Sequence, residues 1–310
     1  QETGSPCRLV CLALRMGALV EKCLIFPAPP LSLEQTKNSP SPNVFWDKRP
    51  AGSPGGGVHR PFLWLPATEA AVTILHFHAN AEDLSTIESW LSELRDNLGA
   101  SVLAVEYPGY GLLQDIYVDG CETASVEGIN AAAAHALQCA VRTLEIPSEQ
   151  VLLHGRSLGC GPALWLARHA REQLQQPVGG VILQSPYISM TQVAADHAGG
   201  LGSLLVHAYY DNLTTLRQLC TVEKWQGEGR HTPLLVLHGE LDDVIRPYHG
   251  RALYEEARKQ GHSAVEASFA KCASHENWDT VQDIVLPISK FMIRHVEAFQ
   301  FYCEELPLKP

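Results

Sequence analysis

Short apolar runs alternate with longer amphipathic stretches from residue 73 to residue 299. Runs at 73–78, 102–107, 151–154, 178–183 and 233–239 are almost continuously hydrophobic, the pattern of strands buried on both faces. Residues 263–269 alternate apolar and polar positions, as a last strand with one wetter face would. Between these runs, residues 84–98, 124–144, 160–171 and 286–299 carry apolar side chains at helical spacing. Pro287 fits the closing helix because it falls in the first turn, where its missing N–H has no partner to lose. Phe45-Trp46 and Phe62-Leu63-Trp64-Leu65 predict two early antiparallel strands. Strand and helix in turn predict a mostly parallel central sheet with helices on both faces. No internal repeat interrupts it, and only 38–42 and 51–57 are rich in Pro, Ser and Gly.

The connections carry the chemistry. Gly155-Arg156-Ser157-Leu158-Gly159 follows a predicted strand and opens a predicted helix. A G-x-S-x-G pentad at such a turn is a nucleophile elbow, which lifts the serine hydroxyl above the sheet edge. Glycines flank it because strand and helix approach too closely there for side chains. Serine needs a base to take its proton, and the base needs an acid to fix its tautomer. After the run 233–239 comes Glu240-Leu241-Asp242-Asp243, and Asp242 is the candidate acid, with Asp243 and Glu240 as close competitors. A solvated turn with a capping aspartate would read the same way. After the last predicted strand comes His275, the candidate base among 14 histidines. Ser157, Asp242 and His275 thus each follow a separate strand.

Acyl transfer also requires donors for the oxyanion that grows in the transition state. The N–H of Leu158 is one candidate. The main chain of Asn80, in the loop Ala79-Asn80-Ala81-Glu82-Asp83, is the other. Glu82 or Asp83 also suits the cap of the helix that follows. Pro162 stands inside the first turns of the elbow helix, where it should weaken one hydrogen bond.

Composition narrows the picture. The chain has 310 residues, 45% of them hydrophobic, enough for a large core in a single catalytic domain. Its net charge of −11 without a basic run argues against a nucleic-acid partner. Nine cysteines without metal-ligand spacing point to reduced thiols and a cytoplasmic setting. Cys160 is expected under the elbow, packed rather than reactive. Asn212-Leu213-Thr214 fits a glycosylation sequon. Residues 8–26 are apolar but broken by Arg15, Glu21 and Lys22, too interrupted for a membrane span. Cys7, Cys11 and Cys23 lie within or beside them and are candidates for S-acylation. A packed N-terminal helix would account for the same stretch. Three parts are therefore expected: an apolar, cysteine-bearing segment 1–42, a catalytic domain 43–300 with an insertion at about 187–231 between strands 6 and 7, and a tail 301–310.

His78-Ala79-Asn80-Ala81-Glu82-Asp83-Leu84, Tyr107-Pro108-Gly109-Tyr110-Gly111, the pentad with Pro162, and His238-Gly239-Glu240-Leu241-Asp242-Asp243-Val244-Ile245 occur in series. Together they resemble the α/β-hydrolase superfamily, and within it the domain-containing-17 branch, grouped with serine aminopeptidase-like hydrolases. The resemblance covers about residues 70–295. It implies an α/β-hydrolase fold and a serine hydrolase that cleaves palmitoyl thioesters from membrane-bound proteins; the expected partner is an acylated protein or lipid-like acyl substrate, the expected state a monomer, and the triad chemistry needs no cofactor. The resemblance further implies peripheral attachment to the cytosolic face of membranes through acylated N-terminal cysteines. Two departures stand out. Ala79 replaces the glycine usual after the loop histidine, and the substrate-facing residues of 187–231 have no match. Residues 201–210 are apolar enough to line an acyl pocket, or to form a helix packed on the core. The triad motifs alone leave two other readings open: an esterase or peptidase of small soluble substrates, and a catalytically silent scaffold.

Overall fold

The computed structural model describes residues 40–48, 59–114, 116, 124–205, 209–225 and 231–305. Eight strands form one sheet: β1 Val44–Lys48, β2 His59–Leu65, β3 Thr73–Phe77, β4 Ser101–Val105, β5 Val151–Arg156, β6 Gly180–Gln184, β7 Leu234–Gly239 and β8 Val265–Ala270. Their spatial order is β1-β2-β4-β3-β5-β6-β7-β8. β2 runs antiparallel to both β1 and β4, and every other pairing is parallel. The strands expected at the start of the chain and the parallel core that follows are both present.

Helices cover both faces. In chain order they are α1 Leu84–Leu98, α2 Val126–Gln138, α3 Cys160–His169, α4 Met190–Leu205, α5 Asn212–Trp225, α6 Tyr248–Lys259, α7 Leu286–His295 and α8 Glu297–Glu305. Within a strand, neighbouring side chains enter opposite cores. Leu153 lies with α2, α3, α5 and α6, whereas Leu152 lies with α1 and α7. Period-two alternation therefore survives inside a strand that reads as uniformly apolar. α1 buries Leu84, Ile87, Leu91, Leu94 and Leu98 in one stripe. At about 2 kcal/mol for each large aliphatic side chain, that stripe contributes on the order of 10 kcal/mol before chain entropy.

Several boundaries differ from the sequence reading. Asp83, not Glu82, caps α1, accepting from Ser85 and Thr86 N–H while Thr86 reaches back. The expected helices 124–144 and 160–171 end as wider turns, Cys139–Thr143 and Ala170–Leu174. The expected closing helix 286–299 is two helices, because Val296 adopts an extended backbone after His295. The expected insertion is only in part an insertion. α5 buries Leu216, Leu219 and Cys220 against α3 and α6, so it is the crossover helix to β7. α4, kinked at Gly199, is the element left over. The first 39 residues, with Cys7, Cys11 and Cys23, lie outside the described residues, as do residues 49–58, which include all of 51–57, and residues 306–310 of the tail. No helix among the described residues is long and apolar enough to cross a membrane.

Candidate active site

β5 ends at Arg156, and the chain turns through Ser157–Gly159 into α3. Ser157 takes φ +52°, a left-handed conformation uncommon outside glycine, and this is the elbow's bend. A Cβ on Gly155 would lie 2.3 Å from Gly159 O, and one on Gly159 would lie 2.0 Å from Phe77 O. Both glycines of the pentad are therefore steric requirements. Pro162 has no N–H to give to the carbonyl of Leu158 four residues back. The Tyr187 hydroxyl donates to that carbonyl at 3.2 Å. Cys160 lies fully buried beneath the turn, its thiol donating to Gly155 O and Gln184 O, and burial pushes its pKa up. It is packed, as its place in the sequence suggested.

Ser157, His275 and Asp242 meet at the carboxyl edge of the sheet. His275 Nε2 lies 3.1 Å from Ser157 Oγ, and His275 Nδ1 lies 2.8 Å from Asp242 Oδ2. Asp242 is buried, while Asp243 is exposed on the same turn, which separates the two candidates. Asp242 Oδ1 accepts the N–H groups of Val244 and Ile245, and Oδ2 also accepts the Ser185 hydroxyl at 2.9 Å. Burial raises the carboxyl's pKa, but bonds from His238, His275 and Ile245 outweigh it and hold the group well below the usual carboxylate range. His238 Nε2 donates chiefly to Ile245 O at 2.8 Å and stands 3.5 Å from Asp242.

Ala79, Asn80, Leu158 and Ser157 line one cleft of about 460 Å³ with Tyr187, Met190, Val193, His197, Val244, Ile245 and His275. Leu158 and Asn80 thus border the space where a carbonyl oxygen would sit. The turn after β4 holds this loop. Tyr107 OH donates to His78 O at 3.1 Å, the two rings stack at 3.9 Å, and Tyr110 OH donates to Asn80 Oδ1 at 2.5 Å. The H-x-N-A and Y-x-G-Y-G motifs are therefore partners in space. The first residues of α4 roof the cleft, and Asp196 and His197 tie that helix to Tyr248, His249 and Val244 O.

Sequence reasoning missed Ser185, which like Ser157 is a non-glycine residue at positive φ, +50°, directly after β6. Its only signal was its place after a strand. Arg156 and Glu82 were also missed as site residues, although both stood in motifs. The Asn212 sequon is 1% exposed, its amide bonded to Tyr187 O, so it is no acceptor in the folded chain.

No family model matches the chain. Alpha/beta hydrolase domain-containing protein aho-3 of Caenorhabditis elegans is 28% identical over 214 residues, 68% of this chain and 54% of that protein. Alpha/beta hydrolase domain-containing protein 17C of Xenopus tropicalis is 26% identical over 220 residues, 71% of this chain and 61% of that one. The chain thus matches less than two thirds of the length of these relatives. Among solved structures, the Pyrococcus furiosus esterase Pf2001 aligns with TM-score 0.57 at 13% identity, covering 82% of this chain and 92% of that one. An alpha-beta hydrolase from Vibrio vulnificus aligns with TM-score 0.57 at 19% identity, covering 97% and 95%. At such identities the structures speak for the fold. The chain thus has the α/β-hydrolase fold, and its sequence is similar to the α/β-hydrolase domain-containing proteins.

Proposed function

We propose that this protein is a serine hydrolase of acyl esters and thioesters, with fatty-acyl thioesters on protein cysteines as its substrate class. The observation that carries the reading is the continuous chain Ser157–His275–Asp242, at 3.1 and 2.8 Å, opening into an apolar cleft. Ser157 Oγ attacks the acyl carbonyl while His275 Nε2 takes its proton. Asp242 holds the Nδ1–H tautomer and stabilises the imidazolium. The N–H groups of Leu158 and Asn80 receive the oxyanion. His275 then passes the proton to the leaving thiolate or alkoxide, and water repeats the sequence on the acyl-serine. No step calls on a metal or an organic cofactor.

Leu158, Tyr187, Met190, Val193, Val244 and Ile245 give the cleft a lining suited to an acyl chain. The relation to domain-containing protein 17C supports the choice of thioesters. Attachment to the cytosolic face of membranes through acylated Cys7, Cys11 and Cys23 belongs to the same proposal. The test compares palmitoyl-thioester, short-chain ester and aminoacyl-amide hydrolysis by wild type and Ser157→Ala. Wild type should favour the thioester and be labelled by a fluorophosphonate, and the variant should do neither. Labelling of the variant would remove Ser157 from the mechanism, and a preference for the amide would overturn the substrate class.

A further inference from the structure

Arg156, which fills the first unspecified position of the G-x-S-x-G pentad, bonds to neither Ser157 Oγ nor the Asp242 carboxylate. Its guanidinium instead bridges two loops. Nη1 donates to Glu82 Oε1, in the loop after β3. Nη2 donates to Glu276 Oε2 at 2.7 Å and to the main-chain carbonyl of His275 at 3.3 Å, both after β8. The other oxygen of Glu82 accepts the N–H of Ala79 at 2.7 Å, one residue before Asn80. Three strand-end loops are thus joined through one planar fork: the loop bearing the oxyanion donor, the elbow, and the loop bearing the base.

We infer that Arg156 is a positioning residue for the proposed hydrolysis, holding Asn80 and His275 in register with Ser157 through Glu82 and the His275 carbonyl. The inference rests on the serine-hydrolase reading of this site. Chemistry favours arginine here. A guanidinium offers several donors in one plane, fixed in direction, so it can serve Glu82 on one side and Glu276 with His275 O on the other. A lysine ammonium carries one point charge and cannot hold both. The two arms are unequal. The Glu276 side chain is 71% exposed, and such surface pairs contribute little. Glu82 is 18% exposed and is itself bonded to backbone, so the arm that matters runs from Arg156 through Glu82 to Ala79. Tyr110 holds Asn80 from the opposite side, which leaves Glu82 as the anchor on the Ala79 side.

Arg156→Ala should lower kcat on a soluble p-nitrophenyl ester by about 10- to 100-fold, a fraction of the cost of deleting an oxyanion donor outright. KM should change less than kcat: Arg156 itself lines the cleft, but the apolar lining is untouched and the loss is one of transition-state stabilisation. Rates are expressed per serine titrated with a fluorophosphonate, so loss of folded protein does not count as loss of kcat. Arg156→Lys should recover only part of the rate, and Glu276→Gln should stay near wild type. Glu82→Ala should cost no more than Arg156→Ala, which also loses the bond to His275 O, and the double variant should be no slower than Arg156→Ala, since Glu82 acts through Arg156. Wild-type kcat per titrated serine in Arg156→Ala, full recovery in Arg156→Lys, or additive losses in the double variant would each overturn the inference alone. A wild-type chain not labelled at Ser157 would overturn the reading of the site, and this inference with it.

Discussion

Asp242→Asn separates orientation from mere presence of a polar group. In the native turn Asp242 Oδ1 accepts two backbone N–H groups, from Val244 at 3.0 Å and Ile245 at 2.8 Å. An asparagine there must keep its carbonyl oxygen on those donors, since turning the amide would set its NH₂ against two N–H groups. The NH₂ therefore falls where Oδ2 was, facing His275 Nδ1 and the Ser185 hydroxyl. His275 Nδ1 then has to accept, its proton moves to Nε2, and Nε2 points at Ser157 Oγ as a donor. The ring is held in place with the wrong tautomer and cannot take the serine's proton. Loss of the correct tautomer in a Ser-His-Asp site costs about 10⁴ in kcat, or about 5 kcal/mol at the transition state. Asp243→Asn, an exposed change one residue along, should retain most activity. The assay is kcat on a p-nitrophenyl ester per titrated serine, with the thermal midpoint measured in parallel. Asp242→Asn within tenfold of wild type, or an equal fall in Asp243→Asn, would refute the argument from the turn.

Other perturbations follow from the same contacts. Ser185→Ala removes one of the donors to Asp242 Oδ2 but leaves His275 in place, so kcat should fall by about 10- to 100-fold at most, the worth of one hydrogen bond to a charged group; a loss as large as that of Asp242→Asn would make Ser185 part of the triad. His76 and His154 pair Nδ1 to Nδ1 at 3.1 Å, so one donates and one accepts and both are neutral; burial lowers the pKa of both, that of His154 from 6.5 to about 4. The unfolded chain binds these protons and the native chain does not, so stability held above pH 6.5 should be lost as pH falls towards 4, by about 3 kcal/mol for His154 alone. Urea midpoints measured at pH 7 and pH 5 should show about 2 kcal/mol of that fall, and a smaller one in His154→Gln; an equal fall in the two would contradict it. Replacing Cys7, Cys11 and Cys23 by Ser should move the full chain from the membrane to the soluble fraction without changing hydrolysis of a soluble ester, because one acyl chain holds only marginally and the anchor needs a second signal; a triple variant that stays on membranes would place the anchor elsewhere.

Much of the fold was legible because its signals are local. β5, β7 and α1 announce themselves through apolar runs and a capped helical stripe, and α1 lies where the spacing put it. Boundaries failed where tertiary contacts decide them. Nothing near Val296 breaks a helix by propensity, yet it is fully buried with the backbone extended, between two helices that the pattern joined. α5 looked like an insertion because an amphipathic helix after an apolar stretch reads alike whether it crosses over a sheet or caps it. Its burial against α3 and α6 is a long-range fact.

The site divides along the same line. Ser157, Asp242 and His275 come together because parallel topology places every strand's carboxyl end on one edge, so three candidates after three strands converge. What order in the chain could not rank was Asp242 against Asp243, since both follow β7. The ranking comes from the inward turn of one side chain onto His275 and two backbone donors. Ser185, Glu82 and Arg156 escaped for a deeper reason. Each acts on a partner in another loop, and none has a chemical type that singles it out: a serine after a strand, a glutamate before a helix cap, an arginine where the pentad accepts any residue. Their contribution lies in pairing, with Glu82 meeting Arg156 across 74 positions and Ser185 meeting Asp242 across 57. A nucleophile can be read from a motif because its geometry is made by its own neighbours. The groups that aim it are defined only by what the folded sheet brings opposite them.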